Sequence, residues 1–377
     1  MHLSALETPC LMLDKPALMR NIAHLGKRLR DLGVSLRPHG KTAKSIDVKR
    51  LVLADQSGGI TVSTLAEADY YFEHGVVDIV YAVGIAPAKL DRVGRLIRNG
   101  ARLTVVLDSV TQAGAVAAAA RKAGIVIPAL IEVDCDGHRS GVTPNDPALL
   151  EIGRLLDGES GATLAGVLTH AGESYQCRSP DGIRDAARQE RDTAVECAET
   201  LRRNDLPCPI VSVGSTPTAT FADDLTGVTE VRAGVYMFQD LMMAGLGVCT
   251  VNDIAISVLT SVIGHQKQKG WVMTDAGWTA LSRDRGTATQ VTDQGYGLVC
   301  DVSGKPLADV IVSSTSQEHG IVSARNGAQL DFTQFAVGTM LRILPNHACA
   351  TGAMHSRYHV TDGSTEVVDT WDRINGW

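Results

Sequence analysis

The chain has 377 residues, 44% hydrophobic and 20% charged, with a formal net charge of −7. That is enough for one large domain or two and for a sizeable core. An acidic balance without a basic stripe or interleaved aromatics argues against a nucleic-acid or polyanion partner. No apolar run approaches ~18 residues, so no membrane span is expected. The stretch Met1-His2-Leu3-Ser4-Ala5-Leu6-Glu7 lacks a cationic segment followed by an apolar one, so no secretory signal is expected either. The eight cysteines are scattered without a CxxC pair. That usage fits reduced thiols and a cytoplasmic location better than a disulfide framework.

Residues 9–14 read as a short strand. Residues 15–32 carry Leu18, Ile22, Leu25, Leu29 and Leu32 along one helical stripe, with Gly33 as the stop. A strand-then-helix pattern then recurs eight times. The strands fall at 34–37, 59–62, 78–83, 103–107, 126–133, 164–169, 209–213 and 228–231. The helices follow at 43–54, 64–74, 86–98, 109–123, 147–156, 181–203, 217–221 and 235–243. The strands are short and apolar on both faces, the texture of buried parallel strands. Eight such units with right-handed crossovers close into a (β/α)8 barrel. An open doubly wound sheet is the alternative, weakened by the lack of G-x-G-x-x-G after the first strand. Beyond about residue 245 the texture changes to short β-type runs at 253–264, 271–275, 297–301, 308–313, 329–332, 340–344, 355–360 and 366–371. The expected class is α/β: a barrel over 13–245 and a C-terminal all-β domain over 246–377, with residues 1–12 a candidate addition to the latter.

In such a barrel, function collects at the C-terminal strand ends. His39 and Lys41 follow the first strand, and Asp136-Gly137-His138-Arg139-Ser140-Gly141 lies after the fifth. His170 and Tyr175 follow the sixth, Gly214-Ser215-Thr216 the seventh, and Gly234-Val235-Tyr236 the eighth. A lysine at such a turn can be desolvated, which lowers its pKa and makes its amine a nucleophile toward carbonyls. For any one lysine, a basic surface loop is the ordinary alternative. Gly214 and Gly234 let the backbone approach an anion, and Ser215 and Thr216 offer hydroxyls and N–H groups at a helix start. These are the two loops where barrels often bind phosphate. A lysine, a phosphate cradle and an arginine at one mouth point to pyridoxal phosphate, with Lys41 as the Schiff-base lysine and Arg139 or Tyr175 on the ring heteroatoms. The expected cofactor set is Lys41, His39, Arg139, Tyr175, Gly214, Ser215, Thr216, Gly234 and Val235.

In the β domain, His347 and Cys349 stand two apart, which on an extended strand puts both on one face. Imidazole plus thiolate suits a divalent metal, zinc first by ligand type. Two protein ligands are too few for a closed structural site, so such a metal would be catalytic. A core histidine beside a buried thiol is the competing reading. Gln317-Glu318-His319-Gly320 and Asp275-Ala276-Gly277-Trp278 are polar clusters with no assigned chemistry, and Ser282-Arg283-Asp284-Arg285-Gly286 reads as a mobile charged loop, a solvated surface loop first, with a part in shaping the pocket beside Phe238 and Gln239 left open.

Arg37-Pro38-His39-Gly40-Lys41-Thr42 resembles the lysine motif of fold-type III pyridoxal-phosphate enzymes, more narrowly the D-threonine aldolase and D-serine dehydratase group. The resemblance extends through Asp136-Gly137-His138-Arg139-Ser140-Gly141-Val142, Thr169-His170-Ala171-Gly172, Ser212-Val213-Gly214-Ser215-Thr216-Pro217-Thr218, Arg232-Ala233-Gly234-Val235-Tyr236, Gln317-Glu318-His319-Gly320 and Pro345-Asn346-His347-Ala348-Cys349-Ala350-Thr351-Gly352. It covers nearly the whole chain and looks closer to bacterial D-threonine aldolases than to eukaryotic D-serine dehydratases. It implies an alanine-racemase-like fold, Lys41 as the Schiff-base lysine, and His347 and Cys349 as ligands of a divalent metal beside the cofactor. Zinc is usual in the dehydratases; manganese, magnesium or cobalt activates the aldolases. The resemblance further implies a homodimer with each site completed by the partner's β domain.

The activity expected on this basis is that of a carbon–carbon lyase acting on a small molecule. It would cleave D-threonine and other D-β-hydroxy-α-amino acids to glycine and an aldehyde. His170 is the expected base on the hydroxyl, with metal-bound water or His39 as rivals. The alternative is a dehydratase of D-serine or D-threo-3-hydroxyaspartate giving a 2-oxo acid and ammonia, with Lys41 taking the Cα proton. An amino-acid racemase and a non-catalytic cofactor carrier are the competing classes. The first has no need of the His347–Cys349 pair, and the second lacks a β domain.

Overall fold

Each of the eight short apolar runs between residues 34 and 233 becomes a strand, in a computed structural model that describes residues 1–54, 59–158 and 161–377. The described residues divide into two units, Met1–His24 with Val235–Asn375, and Leu25–Gly234 with Gly376–Trp377. Strand β1 is Cys10–Asp14, followed by the helix Lys15–Asp31. The barrel strands are β2 (Ser35–Pro38), β3 (Ile60–Val62), β4 (Asp78–Gly84), β5 (Arg102–Leu107), β6 (Ile127–Val133), β7 (Ala162–Thr169), β8 (Ile210–Val213) and β9 (Glu230–Ala233). They pair in parallel in the order β2-β9-β8-β7-β6-β5-β4-β3. A parallel bridge between His39 and Thr61 joins the first member to the last and closes the ring.

The intervening helices begin where short polar side chains cap them. Thr64 accepts from the Glu67 N–H, Ser109 from that of Gln112 and Ser179 from that of Gly182. The second helix starts later than its apolar pattern suggests, at Ile46 rather than 43. Lys44 holds a left-handed φ of 47°, which no helix interior accommodates.

The barrel interior is divided by chemistry. Val80, Val106, Leu130 and Leu168, from four adjacent strands, pack into one apolar cluster with no helix residue in it, so they point inward. The other side is polar. Arg37 Nε lies 2.7 Å from Glu230 Oε2 and its Nη1 2.8 Å from Asp78 Oδ1. Ser212 Oγ donates to Glu230 at 2.7 Å and accepts from Arg232 Nη1 at 2.7 Å. Arg37, Glu230 and Arg232 therefore each meet an opposite charge or a dipole, the condition for tolerating them away from water.

In the other unit the strands are β10 (Ile256–Gln266), β11 (Trp271–Thr274), β12 (Leu298–Cys300), β13 (Pro306–Thr315), β14 (Gly320–Ala324), β15 (Met340–Leu344), β16 (Arg357–Thr361) and β17 (Val367–Asp372). They form one sheet with β1, in the order β11-β14-β13-β12-β15-β10-β1-β16-β17, and β11 also pairs β10. Six strands thus close on themselves, while β1, β16 and β17 extend from β10. The expected strand at 329–332 does not form. Asp331 Oδ1 instead accepts from the Thr333 N–H at 3.0 Å, and that local turn outcompetes the alternating pattern. The strand pairing β11 with β13 is Gly320–Ala324, which the reading of the sequence passed over. Short helices Trp278–Leu281 and Ala348–Gly352 interrupt the β texture. No helix among the described residues is long and apolar enough to cross a membrane.

The paired Arg37 tests this account. Arg37→Ala strands Glu230 as a buried carboxylate, removes a partner of the half-buried Asp78, and should cost about 3–5 kcal/mol in urea denaturation. A loss below about 1 kcal/mol would mean that the polar half of the barrel is not held by this pair.

Candidate active site

The inward register of the strands builds one end of the barrel. Side chains two apart on a strand share a face. One step beyond Val106, Leu130 and Leu168 come Asp108, Glu132 and His170; one step beyond Arg37, Ser212 and Arg232 come His39, Gly214 and Gly234. The apolar and ionic plug therefore ends in a layer of chemistry-bearing positions.

Lys41 follows β2 in a turn closed by the Lys44 N–H donating to Gly40 O at 2.8 Å. Glu67 lies 3.5 Å from Lys44 Nζ and anchors the far side of that turn. The Lys41 side chain is exposed rather than desolvated, and its Nζ makes no hydrogen bond or ion pair among the described residues. His39 is held neutral by burial, with the charges of Lys41 and Arg232 adding to the effect. His170 behaves alike: burial lowers its pKa to about 3, and Lys41, Arg232 and Arg139 push the same way against its bond to Gly214. Its Nδ1 lies 2.9 Å from Gly214 O. A carbonyl only accepts, so Nδ1 carries the proton and Nε2 keeps a lone pair. The Tyr175 ring lies 6.2 Å from the His170 ring. Arg139 is exposed, with Nη2 3.4 Å from Glu132 Oε1. His39, Lys41, Arg139, His170 and Tyr175 are thus brought together at one barrel end.

The glycines of the expected phosphate loops answer first to the chain itself. A Cβ on Gly214, at φ +139°, would lie 2.1 Å from Arg232 O, and one on Gly234 would lie 2.8 Å from Thr42 Oγ1. Ser215 is drawn into its own helix: its Oγ accepts from the Thr218 N–H, and its N–H donates to Thr218 Oγ1. Thr216 is buried at the first helical position, and Val235 is buried in the short turn Val235–Met237 of the other unit. The cofactor fit rests on the exposed primary amine, the Arg139 guanidinium and the neutral imidazole. Glu190, which the sequence did not single out, ties the two loops. Its Oε1 accepts from the Ala171 and Gly214 N–H groups at 2.9 Å each.

In the β-rich unit, His347 and Cys349 do not lie on a strand. His347 is the N-cap of the helix Ala348–Gly352, and Cys349 sits in its first turn. The Asp240 carboxylate sets this helix start, accepting from the Ala348 N–H at 3.0 Å. His347 Nδ1 lies 2.6 Å from Asp284 Oδ2. Burial disfavours the charged ring, but Asp284 and Cys349 beside it outweigh this and raise its pKa to about 11. Asp284 belongs to the loop taken from sequence as solvated. Asn346 holds that loop, its Nδ2 donating to Asp284 O at 3.2 Å and to Gly295 O at 2.7 Å. A thiol beside an imidazole oriented by a carboxylate is a donor set suited to a divalent metal. No cluster of three or more such side chains with that geometry occurs among the described residues.

Comparison with known proteins identifies the framework. The alanine racemase N-terminal domain family matches residues 13–241, and the serine dehydratase domain family matches residues 255–361. D-threo-3-hydroxyaspartate dehydratase of Delftia sp. HT23 is 51% identical over 100% of this chain and 99% of its own. Its solved structure superposes with a TM-score of 0.96 over 100% of both chains. A cysteine-to-alanine variant of that enzyme, described as metal-free, gives 0.97. D-serine dehydratase of Dictyostelium discoideum is 29% identical over 99% of this chain and 98% of its own. D-threonine aldolase from Filomicrobium marinum reaches a TM-score of 0.84 at 25% identity, over 98% of this chain and 96% of its own. These findings overturn the expected retro-aldol, carbon–carbon lyase activity. The full-length match at half identity is to a dehydratase, and the aldolase stands at half that identity. The chain belongs to the fold-type III pyridoxal-phosphate enzymes, with an alanine-racemase-type barrel and a serine-dehydratase-type second domain.

Proposed function

We propose that this chain dehydrates D-threo-3-hydroxyaspartate to oxaloacetate and ammonia, using pyridoxal phosphate held at the barrel end and a divalent metal held by His347 and Cys349. The observation that carries this reading is the 51% identity to the Delftia dehydratase over essentially the full length of both chains. The metal-free description of that enzyme's cysteine variant supports the metal. Arg139 and Tyr175 would meet the cofactor ring, with Gly214, Ser215, Thr216, Gly234 and Val235 around its phosphate.

Bound there, the cofactor would draw electrons from Cα and the metal would act as a Lewis acid on the leaving hydroxyl. The chain's own groups do the rest. The Lys41 amine would hold the cofactor and would take the Cα proton of the bound substrate. The Cβ–O bond breaks and the hydroxyl leaves with that proton as water. Water then hydrolyses the released enamine to oxaloacetate and ammonia, so the reaction consumes no net water and needs no oxidant. With a pKa of about 3, His170 stays neutral through the working range. Its bond to Gly214 O through Nδ1 leaves the Nε2 lone pair as an oriented hydrogen-bond acceptor. Asp284 holds Nδ1 of His347, and a bound metal would take the place of the proton on Nε2.

Enzyme supplied with pyridoxal phosphate, Zn²⁺ or Mn²⁺ and D-threo-3-hydroxyaspartate should release oxaloacetate and ammonia in equal amounts. Glycine with glyoxylate would sink the reading. Chelation should abolish turnover and added divalent cation restore it. Asp284→Ala should weaken the metal about 10–100-fold in chelator competition, with cofactor absorbance retained. The depressed His170 pKa also sets a stability slope. The unfolded chain binds the proton first, so stability is present above the ordinary histidine value of 6.5 and is lost as pH falls toward about 3. His170→Gln should flatten that decline in urea midpoints taken at pH 7 and pH 5, and an unaltered slope would mean that His170 is solvated.

A further inference from the structure

The loop that grips His347 carries two arginines, and only one is neutralised. Arg285 Nη2 lies 2.6 Å from Asp293 Oδ2, and its guanidinium sits 5.0 Å from the Tyr296 ring. Arg283 is exposed and makes no ion pair or hydrogen bond among the described residues. Its guanidinium lies 4.1 Å from the Trp278 ring centroid, a stacking distance that leaves the N–H edge available.

Trp278 is a fixed platform. The backbone of Gly277 passes so close to the next segment that a Cβ there would lie 2.2 Å from Gln317 O. The Trp278 N–H donates to Ser316 O at 3.0 Å and the Thr279 N–H to Gln317 O at 3.1 Å. Thr279 Oγ1 donates to Glu318 at 3.2 Å. The two polar clusters that had no chemistry in the sequence thus combine to seat one indole. Ser282 then turns the chain with φ 76° and ψ 163°, a conformation that costs a residue with a side chain. Its N–H bonds to Trp278 O at 2.8 Å, and its Oγ accepts from the Asp284 N–H at 3.0 Å. This turn sets Arg283 against the indole while its neighbour Asp284 reaches His347 at 2.6 Å.

The proposed substrate differs from D-serine by one group, a second carboxylate on Cβ, the carbon that also carries the leaving hydroxyl. Whatever holds that hydroxyl at the His347–Cys349 pair places the second carboxylate one bond away from the same carbon. We infer that Arg283 binds this carboxylate and so selects β-hydroxy dicarboxylates over D-serine. The fork of a guanidinium matches a carboxylate in two parallel hydrogen bonds, and the indole holds the fork in place beforehand. The inference rests on the dehydratase reading and names the residue that gives it a substrate class.

Arg283→Gln and Arg283→Lys test it in the loaded enzyme. Arg283→Gln should lower kcat/KM for D-threo-3-hydroxyaspartate about 30-fold or more, chiefly through KM, while D-serine changes by less than about 3-fold. Arg283→Lys should recover only part of the loss, because it keeps the charge but not the fork. D-aspartate has the second carboxylate without the hydroxyl, and its binding, read from cofactor absorbance, should weaken in the same ratio. Equal losses on both substrates, or none on the dicarboxylates, would overturn the assignment. Wild-type enzyme inert toward both substrates would overturn the dehydratase reading instead, and the D-aspartate titration would still decide the role of Arg283.

Discussion

The constraint on which the rest of the barrel depends is the two-residue period of its parallel strands. A closed ring of eight strands can fill its centre only with inward side chains, and each strand offers one such position in every two. Here one side of that filling is aliphatic, from Val80 to Leu168, and the other is ionic, around Arg37, Glu230 and Arg232. The next inward step lies at the C-terminal strand ends and is no longer needed to fill the core. His39, His170, Gly214 and Gly234 occupy it. A register slip of one residue in any strand would bury its site residue against a helix and put a core residue at the mouth.

Carboxylates away from the reacting groups organise both units, two of them buried and Asp284 half-buried. Glu190 accepts two backbone N–H groups and ties the loop after β7 to the loop after β8. Asp240 accepts from Met243 and Ala348, and so starts two short helices, the second of which begins at His347. Asp284 orients the imidazole of that histidine. In each case the acid is far from its partners in sequence or lies in a loop, and its value comes from fixing a donor that would otherwise wander. Burial raises the pKa of Glu190 and Asp240, against the backbone N–H groups that favour their ionised forms.

Aldolase and dehydratase chemistry can be built from one set of groups: an amine, a neutral imidazole and a two-ligand metal site. The choice between them depends on which bond at Cα stands perpendicular to the cofactor ring, and that angle is not a property of any single residue type. This is why motif resemblance alone pointed to the aldolases while half-identity over the whole chain points to a dehydratase.

Local sequence determined a good deal of this protein. Eight apolar runs with helices between them point to the barrel, with an open doubly wound sheet as the rival, because parallel strands buried on both faces suit either. The lysine turn, Arg139, His170 and the His347–Cys349 pair stood out as residue types with chemistry to offer. Tertiary structure decided what no window of sequence contains. His347 and Cys349 are neighbours on a helix start and not on a strand, because Asp240, more than a hundred residues earlier, caps that helix. Gly214 and Gly234 are glycines because neighbouring backbone and side chains come too close for a Cβ. The loop at 282–286 looked solvated because its composition is charged, yet Asp284 is bound to His347 and Arg283 is stacked on Trp278. Charge and periodicity report whether a residue can face water. Only the folded chain decides which distant partner replaces that water.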